Sequence, residues 1–245
     1  MLKISPNYPK NSPKLTYQKK ELLIISLALL LHGVGILVAF FRFDIRFDFN
    51  LLRFFSWWSV HTSILSVLAA ILIFRENRKK NSSYFTQFII LLATLYNLIT
   101  FFFWIYCLFS PKLSVEWEKS LLFNCQLVSW HLIAPLLTLF YFFFYARIDQ
   151  LRKKIIKTLL FIPIAPIFYF FYVWTLAKLN YGITSSLFPH LPKYPYFIFE
   201  WIAEVRWNWF IINFLIALLT FISLCSFVIW IKIIISDWKN KTLKK

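Results

Sequence analysis

Long apolar runs alternate with short polar and mainly basic segments along the whole chain. A helix needs about 20 predominantly apolar residues to cross the hydrocarbon core of a bilayer. Six runs meet this requirement. The predicted spans are 22–41, 54–74, 85–109, 121–145, 155–177 and 209–234. The pattern therefore predicts an all-α, polytopic membrane protein, with a bundle of six transmembrane helices over residues 21–238.

Composition agrees with this class and narrows the possible partners. The chain has 245 residues, of which 60% are hydrophobic, 22% aromatic and only 15% charged, whereas a soluble domain has about a quarter of its residues charged. The net charge is +17, but the basic residues flank the apolar runs, which favours the membrane surface over nucleic acid. Membrane lipids are thus the predicted partners, with no nucleic acid, and the sequence indicates no particular oligomeric state.

The basic residues also predict the direction of each span. Lys and Arg concentrate in the N-terminal tail, in the connections after the second and fourth spans, and at the C-terminal end. The remaining connections carry fewer than half as many. Because basic loops stay inside the cell, both termini of this multi-pass cell-membrane protein are predicted to be cytoplasmic. Residues 1–20 are predicted to be a disordered basic tail, and residues 239–245 form a second basic tail.

One long external connection, 178–207, precedes the last span. Its prolines exclude a spanning helix, and its aromatic side chains favour the membrane interface. We predict that this connection forms a lid over the bundle. Tyr194 and Tyr196, from a Tyr-Pro-Tyr triplet, are predicted to line a cavity beneath it.

Polar residues inside the spans are the first candidates for function, because no water reaches that depth to satisfy them. Ser59, Thr62, Ser63 and Ser66 recur every three or four residues, so they share one face of the second span. Hydroxyl groups in spanning helices commonly bond the carbonyl four residues earlier. Taken alone, this stripe favours a structural role.

Several histidines are predicted to lie at the same depth as this stripe. With a helical rise of 1.5 Å per residue, Thr62 lies roughly 12 Å and His131 roughly 15 Å below the external ends of their spans. His32, His61 and Asn97 fall close to the same layer. A buried histidine must be neutral and hydrogen-bonded, or else functional. By their spacing, the polar or helix-breaking residues on one face of the fourth span are Asn124, His131, Pro135 and Thr138.

Three local patterns, in this order, resemble the androgen-induced-gene family of membrane proteins, which includes ADTRP-like members and bacterial six-span relatives. The first is the aromatic run from Phe54 into Thr62, and the second is the His-x-x-x-Pro of His131–Pro135. The third is the proline-rich helix at 163–166 followed by Tyr-Pro-Tyr at 194–196. The resemblance implies a six-helix membrane hydrolase that cleaves fatty-acid esters of hydroxy fatty acids, with Thr62 as nucleophile and His131 as its base.

Thr62 and His131 have the chemical groups of a nucleophile and its base. A threonine hydroxyl attacks poorly unless a base takes its proton, and a neutral His131 would accept that proton and return it to the leaving alkoxide. The spans carry no acidic residue to orient the imidazole, so Asn97 or Asn124 is predicted to do so. The hydroxyls of Ser63 and Ser66 are the candidate donors to an oxyanion.

Two alternatives to the hydrolase stay open at this point. The histidine layer would line a cavity in a lipid-binding or carrier protein that turns nothing over. Alternatively, His32, His61 and His131 would together hold a metal or a haem. The three cysteines have no paired spacing, so they predict neither a disulfide framework nor a metal motif. No cofactor is predicted.

Overall fold

In the computed structural model, the described residues are 13–46, 58–76, 82–109, 125, 128–178 and 207–242. Almost all of these residues are helical, and none of them lies in a β-strand. The helices are α1 (Pro13–Arg46), α2 (Trp58–Glu76), α3 (Tyr84–Phe109), a π-helical turn (Ser129–Ile133) that runs into α4 (Ala134–Phe144), α5 (Asp149–Lys153), α6 (Ile155–Phe161), α7 (Ile164–Lys178) and α8 (Trp207–Thr242). The prediction of an all-α chain is confirmed for this part of the protein.

Five segments are long and apolar enough to cross a membrane, as an integral membrane protein requires. They are Lys19–Val38, Trp58–Glu76, Tyr84–Tyr106, Ile155–Tyr172 and Phe214–Lys239. Each overlaps a predicted span. The predicted fourth span, 121–145, appears as the shorter apolar helix Ser129–Phe144, and most of its first eight residues lie outside the described residues.

The first and last helices extend beyond the predicted spans. Helix α1 begins at Pro13, so the part of the predicted disordered tail from residue 13 to 20 is helical. Proline suits the first turn of a helix, and the Lys, Gln, Glu and Leu residues that follow are good helix formers. Helix α8 continues to Thr242, into the predicted second tail.

The predicted fifth span is one apolar segment that bends at a proline. Helix α6 ends at Phe161, Ile162 and Pro163 form a turn, and α7 begins at Ile164. Proline has no N–H to donate, and its ring clashes with the carbonyl four residues earlier. Regular bonding resumes where the Ile167 N–H donates to the Pro163 carbonyl at 3.0 Å.

Helices α1 to α4 pack into the core of the bundle, with α3 at its centre. All nine residues from Ile89 to Asn97 are buried, whereas large apolar side chains such as Leu23, Phe102 and Phe168 are exposed. The interior meanwhile contains His32, Asn97 and several hydroxyl residues. An apolar exterior around polar interior groups is the arrangement that suits a lipid environment.

Contacts between helix termini define one end of this bundle. Lys232 near the end of α8 donates to the Phe143 carbonyl at 2.9 Å and so satisfies a terminal carbonyl of α4. Three side-chain pairs lie at the same end: Tyr141–Glu21 at 3.3 Å, Gln87–Asp149 at 2.9 Å and Arg152–Asp237 at 2.9 Å. The starts of α1 and α3 therefore lie beside the ends of α4 and α8.

Candidate functional site

The hydroxyl stripe of α2 faces the interior of the bundle. Ser59, Thr62, Ser63 and Ser66 are all buried, and Ser63 has no exposed surface. Ile64, between them, and Leu68, just after them, are exposed. Because buried and exposed positions alternate with helical spacing, α2 presents its polar face to the interior of the bundle and its apolar face to the outside.

Ser63 and His32 form a hydrogen-bonded hydroxyl–imidazole pair. Ser63 Oγ lies 3.1 Å from His32 Nδ1, and neither residue has any exposed surface. On the other side of the ring, His32 Nε2 lies 3.4 Å from Thr138 Oγ1. The first helix thus places an imidazole between a serine of α2 and a threonine of α4.

The direction of these bonds fixes the tautomer of His32. The Thr138 hydroxyl donates to the Ala134 carbonyl at 3.0 Å, so its oxygen is left to accept a proton from His32 Nε2. The second ring nitrogen, Nδ1, is then unprotonated, because a neutral imidazole carries one N–H. It accepts the hydrogen bond from the Ser63 hydroxyl, which is the geometry of a nucleophile and its base.

Trp130, in the π-helical turn before α4, also contacts this pair. Its indole N–H donates to Ser63 Oγ, and its ring packs on the backbone of α1 at Gly35. A methyl group at Gly35 would lie only 3.0 Å from Cγ and Cδ1 of Trp130, whereas a methyl group at Gly33 would meet nothing within 4 Å. Glycine at position 35 is therefore what allows the indole to reach Ser63.

The predicted nucleophile, Thr62, joins α2 to α3. Its Oγ1 lies 3.0 Å from the Trp58 carbonyl and 3.0 Å from Thr100 Oγ1. The Thr100 hydroxyl in turn donates to the Tyr96 carbonyl at 2.9 Å. Both hydroxyls thus return bonds to carbonyls four residues earlier and meet each other between the helices, as small hydroxyl residues do in membrane bundles.

The predicted base, His131, lies in the π-helical turn Ser129–Ile133. Its carbonyl is four residues before Pro135, which has no N–H to donate, and the Ala134 N–H instead bonds the Ser129 carbonyl five residues earlier. Proline thereby accounts for the wide turn. The His131 side chain is half-buried, with its ring 5.5 Å from that of Trp130.

The structure thus bonds the imidazole of His32 to the Ser63 hydroxyl of α2. The predicted partners Thr62 and His131 are the chain neighbours of Ser63 and Trp130. Asn97 donates from Nδ2 to Ser66 Oγ at 2.7 Å and to the Ala93 carbonyl at 2.8 Å. The other predicted site residues, Asn124, Tyr194 and Tyr196, lie outside the described residues, as does most of the predicted lid.

The histidines do not converge on a metal site. His61 is half-buried and packs edge-on against the rings of Tyr169 and Tyr172 of α7, at 5.0 and 6.5 Å between centroids. Within the described ranges, no three His, Cys, Asp or Glu side chains form a group able to hold a metal ion. His32, His61 and His131 therefore do not form one shared metal-binding group.

A small cavity lies beside the hydroxyl–imidazole pair, between α1, α2, α3 and α4. Its volume is about 30 Å³. Six of its lining residues are Ile25, Ala28, Ser66, Ala93, Thr138 and Tyr141. Thr138 therefore contacts both His32 and the cavity.

The depth of His32 in the first span predicts that it lies in the layer of the α2 hydroxyls. No spacing along the chain predicts its hydrogen bond to Ser63.

Comparison of the chain with models of known protein families, with curated proteins and with solved structures finds no match. The interpretation of the site accordingly depends on its geometry.

Proposed function

We propose that this chain is a six-span integral membrane protein with both termini in the cytoplasm, and that it hydrolyses lipid esters within the membrane. The observation that carries the proposal is the fully buried hydrogen bond between Ser63 Oγ and His32 Nδ1. Buried hydroxyl and imidazole groups aligned in this way form the core of enzymes that use an activated hydroxyl as nucleophile.

The contacts at one end of the bundle support the proposed topology. The ends of α4 and α8 meet the starts of α1 and α3 there, as six successive crossings would require. Exposed basic side chains cluster near the same termini: Lys19, Lys20, Arg147, Arg152, Lys153 and Lys241. Because basic residues stay on the cytoplasmic side, this end is the proposed cytoplasmic face.

The proposed reaction proceeds through an acyl-enzyme. Ser63 Oγ attacks the ester carbonyl carbon while its proton passes to His32 Nδ1, and His32 then returns that proton to the departing alkoxide, which leaves as the alcohol. Water cleaves the acyl–Ser63 ester in the same manner and restores the hydroxyl. The Thr138 oxygen accepts a hydrogen bond from Nε2 during this transfer, and the Trp130 N–H, which donates to Ser63 Oγ, holds the nucleophile in position.

Ser63 is a better nucleophile in this geometry than Thr62. The Thr62 hydroxyl is engaged by the Trp58 carbonyl and by Thr100, and neither is a base strong enough to take its proton. The pair of Thr62 and His131, which the family resemblance implies, is the second candidate for the same chemistry. The resemblance also supports the substrate class, an ester of a fatty acid that reaches the site from the bilayer.

The experiment is covalent labelling of the purified protein, in lipid nanodiscs, with an alkyl fluorophosphonate. Ser63→Ala and His32→Gln are expected to abolish labelling, whereas Thr62→Ala, a loss of the adjacent hydroxyl, is expected to retain it. Mass spectrometry of the labelled peptide then identifies the modified oxygen. Both groups are buried, so labelling requires helix movement and is expected to be slow.

Each outcome of the labelling experiment has a defined meaning. Loss of labelling in Thr62→Ala and His131→Ala, with retention in Ser63→Ala, would assign the reaction to the second pair. Labelling that persists in all four variants, or that is absent from the unaltered protein over long incubation, would refute the hydrolase proposal. Hydrolysis of a fluorogenic long-chain ester in the same nanodiscs provides the matching measurement of turnover.

A further inference from the structure

The cavity beside Thr138 lies on a polar path between the buried imidazole and one end of the bundle. On α1, Glu21, Ile25, Ala28 and His32 are spaced by four, three and four residues, so they share one face. Ile25 and Ala28 line the cavity. The carboxylate of Glu21 and the imidazole of His32 thus flank the cavity, roughly 16 Å apart along the helix.

Helix α4 supplies hydroxyl groups to the same path. Thr138 and Tyr141 both line the cavity and are three residues apart, hence roughly 4.5 Å apart along the axis. Thr138 contacts His32 Nε2 at 3.4 Å, and the Tyr141 hydroxyl donates to Glu21 Oε1 at 3.3 Å. The path is therefore hydrogen-bonded at both ends, and the cavity occupies the interval between them.

We propose that this cavity holds water, and that the water completes a proton route from His32 through Thr138 and Tyr141 to Glu21. About 30 Å³ accommodates two water molecules, because one needs about 10–15 Å³. Most of the lining is apolar, and its polar members are the hydroxyl residues Ser66, Thr138 and Tyr141. The hydroxyl protons of these three residues go to other acceptors, so their oxygens have lone pairs left to accept a hydrogen bond from water.

Asn97 of α3 does not line the cavity but is bonded to two residues that do. It has no exposed surface and donates to Ser66 and to the Ala93 carbonyl, two residues that line the cavity. Its Oδ1 is buried and has no hydrogen-bond partner in the part of the chain that the structure describes. A buried acceptor of this kind is ordinarily satisfied by an ordered water.

In the proposed relay His32 first takes a proton at Nδ1, and the resulting imidazolium gives its Nε2 proton to Thr138 Oγ1. The Thr138 hydroxyl proton turns from the Ala134 carbonyl to water, water protonates the Tyr141 oxygen, and the Tyr141 proton passes to the Glu21 carboxylate. Protons return by the reverse steps. The other charged groups that act on Glu21 are Arg147, from the segment after α4, and Lys239 of α8.

This route deepens the proposed function, on which its use in catalysis rests, since ester hydrolysis releases a proton that must leave the hydrocarbon layer. Its test does not require turnover. The protein, labelled with ¹⁵N-histidine and held in nanodiscs, is transferred to D₂O, and solid-state NMR follows the loss of the His32 ring N–H. Disappearance of the signal in His32→Gln assigns it.

Tyr141→Phe removes one hydroxyl of the route and is expected to slow the exchange by about tenfold or more, because exchange must then await local opening of the bundle. Tyr145→Phe, one helical turn away and outside the cavity lining, is the matched control and is expected to exchange at the original rate. Glu21→Gln is expected to follow Tyr141→Phe.

A cavity-filling variant separates the water from the side chains. Ala28→Val leaves every polar group in place but occupies the space between Thr138 and Tyr141, so it is expected to slow the exchange as Tyr141→Phe does. Exchange at the original rate in Tyr141→Phe and in Ala28→Val, with both proteins folded, would overturn the route. If exchange is slowed in these two variants but the unaltered protein is not labelled by the fluorophosphonate, the proton route is retained and only the hydrolase proposal is refuted.

Discussion

Replacement of glycine by alanine is expected to have opposite effects on stability at Gly33 and Gly35, two positions on α1. Gly35→Ala places a methyl group 3.0 Å from Cγ and Cδ1 of Trp130, and Gly33→Ala places one in open space. Carbon atoms pack best at about 3.5–4.0 Å, so the indole must move away by a few tenths of an ångström. The contacting atoms belong to the inner part of the ring and cannot swing aside alone. Such a shift pulls the indole N–H away from Ser63.

The expected difference in unfolding free energy between the two variants follows from two contributions. Replacing a helical glycine by alanine gains about 0.5–1 kcal/mol of backbone stability, and this gain is common to both. Overpacking a buried site costs about 1–3 kcal/mol and applies to Gly35→Ala alone. We therefore expect Gly35→Ala to be less stable than Gly33→Ala by about 2 kcal/mol, with Gly33→Ala at or above the stability of the unaltered protein.

Thermal unfolding in detergent, followed by size-exclusion chromatography of heated samples, measures this difference. A chain of this size loses about 2–4 °C of Tm per kcal/mol, so Gly35→Ala should unfold about 4–8 °C below Gly33→Ala. Its fluorophosphonate labelling should also change, because Trp130 contacts the Ser63 oxygen. Equal Tm values for the two variants would refute the close packing of α1 against Trp130 and the geometry built on it.

Three further predictions concern the contacts around this site. Thr138→Val removes the acceptor of His32 Nε2 and should lower the unfolding free energy by about 1–3 kcal/mol, whereas Thr220→Val, at an exposed hydroxyl of α8, should be close to neutral in the same melts. Arg152→Ala breaks an exposed ion pair with Asp237 and should cost less than about 1 kcal/mol, a loss that added salt makes smaller still. Pro135→Ala restores a backbone donor and should convert the π-helical turn to α-helix, detected as reduced labelling of Ser63.

Hydropathy predicted the positions of the helices well because transfer of apolar side chains into lipid depends only on local sequence. It did not predict how each helix is rotated about its axis. The outside of a membrane bundle is as apolar as much of its inside, so the inward face is marked only by sparse polar residues. On α2, four hydroxyl residues sufficed to identify the buried face. On α1, His32 was one polar residue among leucines, and its partner could not be named.

The π-helical turn before α4 determines which residue of this segment contacts Ser63. Regular helical spacing back from Thr138 predicts His131 on the inward face, and the family resemblance implied its pairing with Thr62. Pro135 cannot donate to the carbonyl of His131, and the wide turn Ser129–Ile133 absorbs one extra residue. The position facing α1 and α2 therefore passes from His131 to Trp130, whose indole meets Ser63. The imidazole that bonds Ser63 comes from α1, as His32, while Gly35 of the same helix leaves room for the Trp130 indole.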